Sequence, residues 1–390
     1  MIGMEKGTPV ALTRCTSYQE EEIRRCLEKM FADLALPREW FAGKRICLKP
    51  NLVMAKKPEL GATTHPAVLA ALAKLLLEQG AGEILIADSP GGPYAAANLE
   101  IVYRTCGLTA LAEIPGVRLN SDFGFRTVTL EQGRTLKNCS FLSAVLDSDM
   151  LINVCKLKTH GLTGLSCAVK NLFGLVPGVE KFAMHATYPK IEEFSDMLVD
   201  ITEYIRGRMP YLAVCDGIVG MEGNGPTHGT PVESGVLLAS VSPYALDTAA
   251  EHIIGCTVPV VHLDKAAQRG LTETRDWRQV RILSDTELPG YHFTPPEASA
   301  GRFLKNLSGF MGGRLAEAFA AKPIIDNKTC VGCGVCERSC PAHAISIQNT
   351  GAGRRAVIAH KGCIRCYCCQ ELCPHGAVRM GKNPLIRWIH

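Results

Sequence analysis

The stretch Cys330-Val331-Gly332-Cys333-Gly334-Val335-Cys336-Glu337-Arg338-Ser339-Cys340-Pro341, with its echo Cys363-Ile364-Arg365-Cys366-Tyr367-Cys368-Cys369-Gln370-Glu371-Leu372-Cys373-Pro374, decides how the rest of the chain is read. Nine of the eighteen cysteines fall within these forty-five positions of a 390-residue chain. Cys330, Cys333, Cys336, Cys340 and Pro341 recur 33 residues later, and Ala344 recurs as Ala377, so the segment is an internal repeat. Zinc sites usually draw on separated C-x2-C pairs, and disulfide frameworks belong to secreted chains. Neither suits two four-cysteine runs closed by proline.

The spacing C-x2-C-x2-C-x3-C-P is similar to the bacterial ferredoxin run that ligates iron-sulfur clusters. A cubane cluster needs four thiolates converging from different directions, so three close cysteines wrap one face and the fourth arrives from elsewhere. In two-cluster ferredoxins the fourth comes from the other run. Two [4Fe-4S] clusters are therefore expected, one on Cys330, Cys333, Cys336 and Cys373, the other on Cys363, Cys366, Cys369 and Cys340. Gly332 and Gly334 are expected to let backbone amides approach the first cluster's sulfurs. Cys368 and Cys369 offer two thiols where one is needed. Cys369 keeps the repeat spacing and is preferred, which leaves Cys368 spare.

The length suits one large domain plus a ferredoxin-sized module, and 47% apolar content permits a substantial core. The expected division is an α/β body over 1–294, a linker with a helical segment over 295–321, marked by Gly301, Gly309, Gly312 and Gly313, and a module over 322–390. Met1 to Cys15 shows no apolar signal core and no twin arginine, and no stretch reads as a membrane span, so a soluble cytoplasmic protein is expected. Exposed clusters are attacked by oxygen, which suggests a host living with little of it.

Net charge hides an asymmetry. Residues 322–390 carry ten Lys or Arg against three Asp or Glu, whereas residues 1–321 carry 32 against 35. Two oxidised clusters with their thiolates would subtract about four charges and leave the module mildly basic. That polarity fits an acidic electron donor such as a ferredoxin or flavodoxin; the bland reading is a solvated basic face. No nucleic-acid motif accompanies the charge.

Along the body, apolar runs alternate with helical patterns. Ser17 and Glu20 read as a capping box before a helix with Ile23, Leu27, Met30, Phe31 and Leu34 on one face. Ile46 to Leu48 is a short strand, Thr63 to Pro66 opens a helix carrying Leu69, Leu72 and Leu76 that stops at Gly80, and Ile84 to Ala87 is a second strand. Met150 to Val154, Leu212 to Cys215 and Val236 to Ala239 read as further strands, separated by a helix through Phe194, Leu198, Ile201 and Ile205. Ser242 and Pro243 start another helix, closed by Gly255. The expected fold class is α/β, a largely parallel sheet with flanking helices, plus a small C-terminal α+β two-cluster ferredoxin-like domain.

Ligands of an open α/β sheet sit beyond the carboxyl ends of its strands. Four expected strands end in polar groups: Lys49 and Asn51; Asp88 and Ser89; Lys156, Lys158 and His160; and Asp216. Lys170, Asn171, Lys181, His185 and the loop with Glu222 and Asn224 add to them. If the strands are neighbours, these groups converge on one rim. Lys49, Lys156, Lys158, Lys170 and Lys181 would make it positive, suited to a carboxylate or phosphate. His65, His160 and His185 could transfer protons near neutral pH. The site expected from sequence therefore has Lys158, His160, Lys156, Asp216, His65 and His185 in catalysis. Lys49, Asn51, Asp88, Ser89, Lys170, Asn171, Glu222 and Asn224 would bind an unidentified second cofactor or an anionic small-molecule substrate. The bland alternative has Lys158 solvated and His160 capping the next segment. Neither glycine-rich piece, Asp88 to Gly92 or Glu222 to Pro226, is a nucleotide fingerprint.

Six ordered motifs carry a resemblance: Lys49-Pro50-Asn51-Leu52, Thr63-Thr64-His65-Pro66, Asp88-Ser89-Pro90-Gly91-Gly92, Lys156-Leu157-Lys158-Thr159-His160, Val169-Lys170-Asn171-Leu172-Phe173-Gly174, and Asp216 through Pro226. Over roughly residues 8 to 290 the chain resembles the domain of unknown function 362 family, whose members often end in a two-cluster ferredoxin module. More distantly, the body is similar to the N-terminal domain of nickel-dependent lactate racemases, with no residue-level match for a nickel site. The resemblance implies the fold and the clusters and leaves the reaction open. Three functions follow as expectations. The first is an oxidoreductase passing electrons from a low-potential donor through the module to the rim pocket. The second is a non-catalytic electron carrier or assembly factor docking on a partner enzyme. The third is a redox-neutral metal-cofactor isomerase with structural clusters.

Overall fold

The computed structural model describes residues 7–381 apart from 273, 288, 300–320 and 352. Most of the expected linker, its glycines included, lies outside the described residues. Fifteen strands are described: β1 (Val10–Arg14), β2 (Arg45–Pro50), β3 (Glu83–Ile86), β4 (Val117–Leu119), β5 (Phe125–Thr129), β6 (Asn138–Leu142), β7 (Met150–His160), β8 (Gly164–Ser166), β9 (Tyr211–Glu222), β10 (Thr230–Ser240), β11 (Ile282–Leu283), β12 (Lys322–Ile325), β13 (Ile345–Thr350), β14 (Gly353–Ile358) and β15 (Val378–Gly381). The central sheet runs β11-β1-β10-β9-β7-β2-β3-β4, with β8 folded back on β7. It is largely parallel. The exceptions are β10, antiparallel to both β1 and β9, and β8, antiparallel to β7.

Strand side chains alternate between two apolar layers, as a sheet buried on both faces requires. Ile46, Leu48, Ile152, Val154, Leu212 and Val214 face one layer with the helices Glu20–Asp33, Pro66–Glu78 and Ala96–Thr105. Cys47, Leu151, Ala213 and Cys215 face the other, with the helices Ile191–Arg208, Pro243–Ile253 and Val261–Gln268. The body is thus three layers, helix on sheet on helix.

Local chemistry sets the helix starts, once differently from expectation. Glu20 is not the partner of Ser17. The first helix begins at Glu20, and it is Glu22 whose carboxylate accepts from Thr16 N (2.7 Å) and from the Ser17 hydroxyl, while Glu20 takes Lys74 Nζ at 2.6 Å. The second helix has Pro66 at its first position and His65 as its cap, Nδ1 accepting from Ala67 N at 3.2 Å. Ser242 caps the helix from Pro243 in the same way, accepting from Ala245 N at 3.2 Å.

Two strands outrun the apolar stretches that announced them. β7 continues through Lys156, Lys158 and His160, and β9 through Asp216 to Glu222. The polar residues therefore sit within strands and not in loops after them. Buried partners hold them there, which an apolar-run reading of strand ends cannot register.

The C-terminal repeat is visible in the backbone. β12 pairs with β15 and β13 with β14, and the short helices Val335–Arg338 and Cys368–Glu371 stand 33 residues apart. Gly332 and Gly334 are left-handed (φ 67° and 76°), and so are Arg365 and Tyr367 at the equivalent positions (56° and 65°). The run therefore needs left-handed backbone at both places, and the second copy adopts it with side chains present.

Candidate functional site

β9, β7, β2 and β3 are adjacent in the sheet, and polar groups from β7, from the end of β2 and from the loop after β3 meet at one rim. The second cysteine run covers that rim. Thr227 Oγ1 donates to the Glu371 carbonyl at 2.8 Å and Gln370 Nε2 to the Asn224 carbonyl at 3.1 Å. Leu372 lies directly over Gly91, where any β-carbon would collide with it. Between body and run is a cavity of about 650 Å3, its open mouth included, whose lining holds Lys49, Asn51, Asp88, Ser89, Lys158, His160, Lys170, Asn171, Lys181 and His185 from the body and Cys368, Glu371 and Leu372 from the run.

Three of its lysines are saturated by the protein. Lys49 Nζ donates to Pro50 O (2.6 Å), Asp88 Oδ1 (2.7 Å) and Asn171 Oδ1 (3.4 Å). Gly174 leaves room for this pair, since a β-carbon there would stand 2.7 Å from Lys49 Nζ. Lys158 Nζ donates to Asn51 Oδ1 (2.9 Å), Ala62 O (2.6 Å) and Pro226 O (3.2 Å). Lys181 Nζ donates to Ser89 O and Oγ, both at 2.9 Å, and Val176 O at 2.8 Å. An ammonium has three protons, so none is left for a ligand. Burial, with Lys156 and Lys170 adding, pushes Lys158 down to about 7, and burial also brings Lys181 to about 7. Three oxygens around each nitrogen nonetheless leave no place for a lone pair, and the geometry accommodates the ammonium form.

Lys170 differs. It is half-buried, its Nζ stands 4.7 Å over the Phe173 ring, and that nitrogen makes no hydrogen bond among the described residues. Opposite it, Glu371 Oε1 is buried without a hydrogen-bond partner among those residues, 3.5 Å from His160 Nε2. Burial raises the Glu371 pKa, against Lys170 and Lys158. His160 Nδ1 accepts from Leu162 N at 3.0 Å, which places the neutral ring's proton on Nε2, toward Glu371.

Several sequence expectations need correction. Lys158, expected in catalysis as the holder of an anionic group, is fully buried and spends its three donors cross-linking body segments, and it is not solvated either. The rim is not a set of free positive charges, because Lys49 pairs with Asp88 and Lys156 with Asp216, each at 2.7 Å. Lys156, Asp216 and His65 do not line the cavity. They form a separate buried knot in which Asp216 accepts from Lys156, Tyr18 OH (3.1 Å) and His65 N (2.9 Å), with the His65 ring stacked on Tyr18. Glu222 and Asn224 are also outside the cavity; Glu222 accepts from Thr294 N at 2.8 Å, and Asn224 Oδ1 from Glu297 N at 3.0 Å. His185 lines the cavity, but burial holds its pKa down at about 3, so it stays neutral and does not exchange protons near pH 7.

Sequence reasoning missed Glu371 and the cavity-facing position of Cys368. Glu371 had one signal: it is one of three acidic residues in a basic module. Also missed were Cys155, Cys167 and Cys215, whose sulfurs meet in the body core within 4.8 Å of one another. Cys155 Sγ donates to Val214 O at 3.6 Å, and all three thiols are fully buried, as packed core cysteines are.

The cysteine runs form a second kind of site. Cys330, Cys333, Cys336 and Cys373 line one cavity. Burial and then Cys373, Cys333 and Cys330 push the Cys336 thiol up to about 11. Burial and then Cys366 and Cys340 raise Cys363, and Cys369 feels Cys366, Cys363, Cys336 and Cys340. Backbone amides reach the remote sulfurs in both copies, Ala344 N to Cys340 Sγ and Ala377 N to Cys373 Sγ, each at 3.2 Å. Clustered thiols with N–H donors aimed at sulfur fit an iron-sulfur cluster, whose thiolates need that stabilisation. All eighteen cysteines are free of disulfides. Among the described residues no helix is long and apolar enough to cross a membrane.

Comparison with known proteins agrees on both parts. The family model described as domain of unknown function (DUF362) matches residues 46–252, and that of a 4Fe-4S dicluster domain matches residues 329–377. The chain is 32% identical over 268 residues to the thylakoid-associated protein sll1697 of Synechocystis sp., a match spanning 68% of this chain and 80% of that relative. Among solved structures it is similar to the lactate racemase apoprotein from Thermoanaerobacterium thermosaccharolyticum. That likeness has a TM-score of 0.40 at 12% identity, over 65% of this chain and 58% of that one.

Proposed function

The chain belongs to the domain of unknown function 362 family and is an iron-sulfur protein, and we propose that it is an oxidoreductase whose substrate or second cofactor binds in the cavity between the body and the second cysteine run. The observation that carries this reading is the mixed origin of the cavity wall, with Lys170 and His160 from the body facing Cys368 and Glu371 from the run. A carrier has no need of such a chamber. The working division is a body over 1–294, a linker over 295–321 and a module over 322–390. Two ligand sets are assigned: Cys330, Cys333, Cys336 and Cys373; and Cys363, Cys366, Cys369 and Cys340.

When bound, the clusters supply one-electron transfer, with potentials anywhere from about −700 to +450 mV according to environment. The chain's own residues do the rest. Lys170 holds an anionic group of the ligand, as the cavity lysine whose donors are uncommitted. His160 delivers the proton on Nε2 to the reduced atom, its ring fixed by the Leu162 amide. Glu371 Oε1 accepts a hydrogen bond from the ligand, and Leu372 and Cys368 keep water out. Lys49, Lys158 and Lys181 hold the wall rigid. Electrons would come from an acidic donor such as a ferredoxin or flavodoxin, and the substrate is an anionic small molecule.

Anaerobic purification should yield about eight iron and eight sulfide per chain. Dithionite-reduced protein should be reoxidised by members of a panel of reducible carboxylates and phosphates, and about tenfold or more slowly in Lys170→Ala. A tightly bound further metal with no reoxidation by any panel member would instead favour the isomerase reading.

A further inference from the structure

The two cysteine runs are alike in backbone but opposite in surroundings. The second is sealed against the body by the Thr227, Gln370 and Leu372 contacts, and Cys368 and Cys369 are buried. The first looks outward. Cys333 is the one exposed cysteine of the eighteen, and its neighbour Val331 is 54% exposed. Arg338 and Arg354, both exposed, flank this spot: Arg338 Nη1 reaches Cys333 O at 3.4 Å, and the Arg354 backbone lies against Gly332.

One of the module's three acids borders this face: Glu337 Oε2 lies close to Gly334, beside the Arg338 guanidinium. Glu371 looks into the cavity. Glu337 Oε1 accepts from Ile347 N at 3.0 Å. Asp326 is engaged by Lys328 N (3.0 Å), Thr329 Oγ1 (3.0 Å) and Arg379 (2.7 Å). An exposed apolar side chain beside an exposed cluster cysteine, rimmed by two exposed arginines against one acid, Glu337, that is itself tied to the Ile347 amide, has the make-up of a docking site for a negatively charged protein.

Resting on the reading above, we infer that the edge formed by Val331, Cys333, Arg338 and Arg354 is the docking face for an acidic one-electron carrier protein. Electrons enter the module at the first run and leave it at the second. The two runs thus divide the work by position: one meets the partner, the other the cavity.

Binding of an oxidised plant-type [2Fe-2S] ferredoxin, an acidic carrier, tests this by calorimetry on the anaerobically purified, iron-replete chain. Affinity should fall as salt rises, and Arg338→Glu with Arg354→Glu should weaken it by about tenfold or more. The paired lysine substitutions should largely keep it. Lys190→Glu, on an exposed body lysine 72% accessible, should leave it unchanged. Reduction of the double variant by methyl viologen radical, a small cation, should match the parent. Affinity indifferent to both salt and the double reversal, or weakened as much by Lys190→Glu, overturns the docking face. If the reversal variant loses iron, the parent's salt dependence decides, and a flat one overturns the proposal. A parent chain that holds no iron would overturn the underlying reading itself, and would be seen before any partner is added.

Discussion

His160 Nε2 stands 3.5 Å from Glu371 Oε1, so the last residue of a body strand faces the second cysteine run across the cavity. Glu371→Gln keeps the Thr227 anchor, which uses the main-chain carbonyl. Iron content should therefore hold while ligand affinity or turnover falls by about tenfold, the loss of one charged hydrogen-bond partner. Iron assay and titration of a panel hit on the same preparation would check both halves.

Lys158→Ala should destabilise the chain by about 3 kcal/mol, because the acceptors Asn51 Oδ1, Ala62 O and Pro226 O lose their shared donor inside the fold. Anaerobic urea unfolding gives the number. A change under about 0.5 kcal/mol would mean that Lys158 is not the cross-link described.

Lys170→Ala should behave in the opposite way. With no hydrogen bond to lose and one ring contact at 4.7 Å, its cost in stability should stay under about 1 kcal/mol. Ligand binding or turnover should suffer instead, and paired urea unfolding and panel assays on the two lysine variants separate a scaffold residue from a binding one.

Cys368→Ser should leave about eight iron per chain, and Cys369→Ser should lower it. Cys340→Ser should damage the set on Cys363, Cys366 and Cys369, and spectroscopy finding the loss confined to the Cys330 set would reverse the crossed pairing.

Acid sensitivity should carry the mark of His185. Its pKa is about 3 in the fold and 6.5 when unfolded, so between these values the unfolded chain binds a proton that the folded chain refuses. Stability present above pH 6.5 is lost as pH falls toward 3, by about 4 kcal/mol at most. His185→Phe keeps the stack on Phe194, at 4.5 Å between ring centroids, and should flatten that limb of the stability profile. Equal acid slopes in variant and parent would assign the effect to other groups.

The cysteine runs were legible because their chemistry is local: ligand spacing survives as a string, and the 33-residue offset reappears in left-handed positions and short helices. The alternation of body elements was legible for the same reason, since two apolar faces per strand leave near-continuous apolar runs. The six polar motifs marked the rim but not its internal bookkeeping, and five of the fourteen body residues singled out lie away from the cavity.

By itself, then, the sequence determined the α/β class, the module and the polar strand ends, all of which depend on neighbours within a few residues. Only the tertiary structure decided which lysine is uncommitted, because the acceptors that saturate Lys158 stand as far as 107 residues away. It alone turned Cys368 and Glu371 toward the body and Cys333 toward solvent, although the two runs share the same cysteine spacing. The difference comes from what each run packs against, and packing partners distant in sequence leave no trace in local spacing.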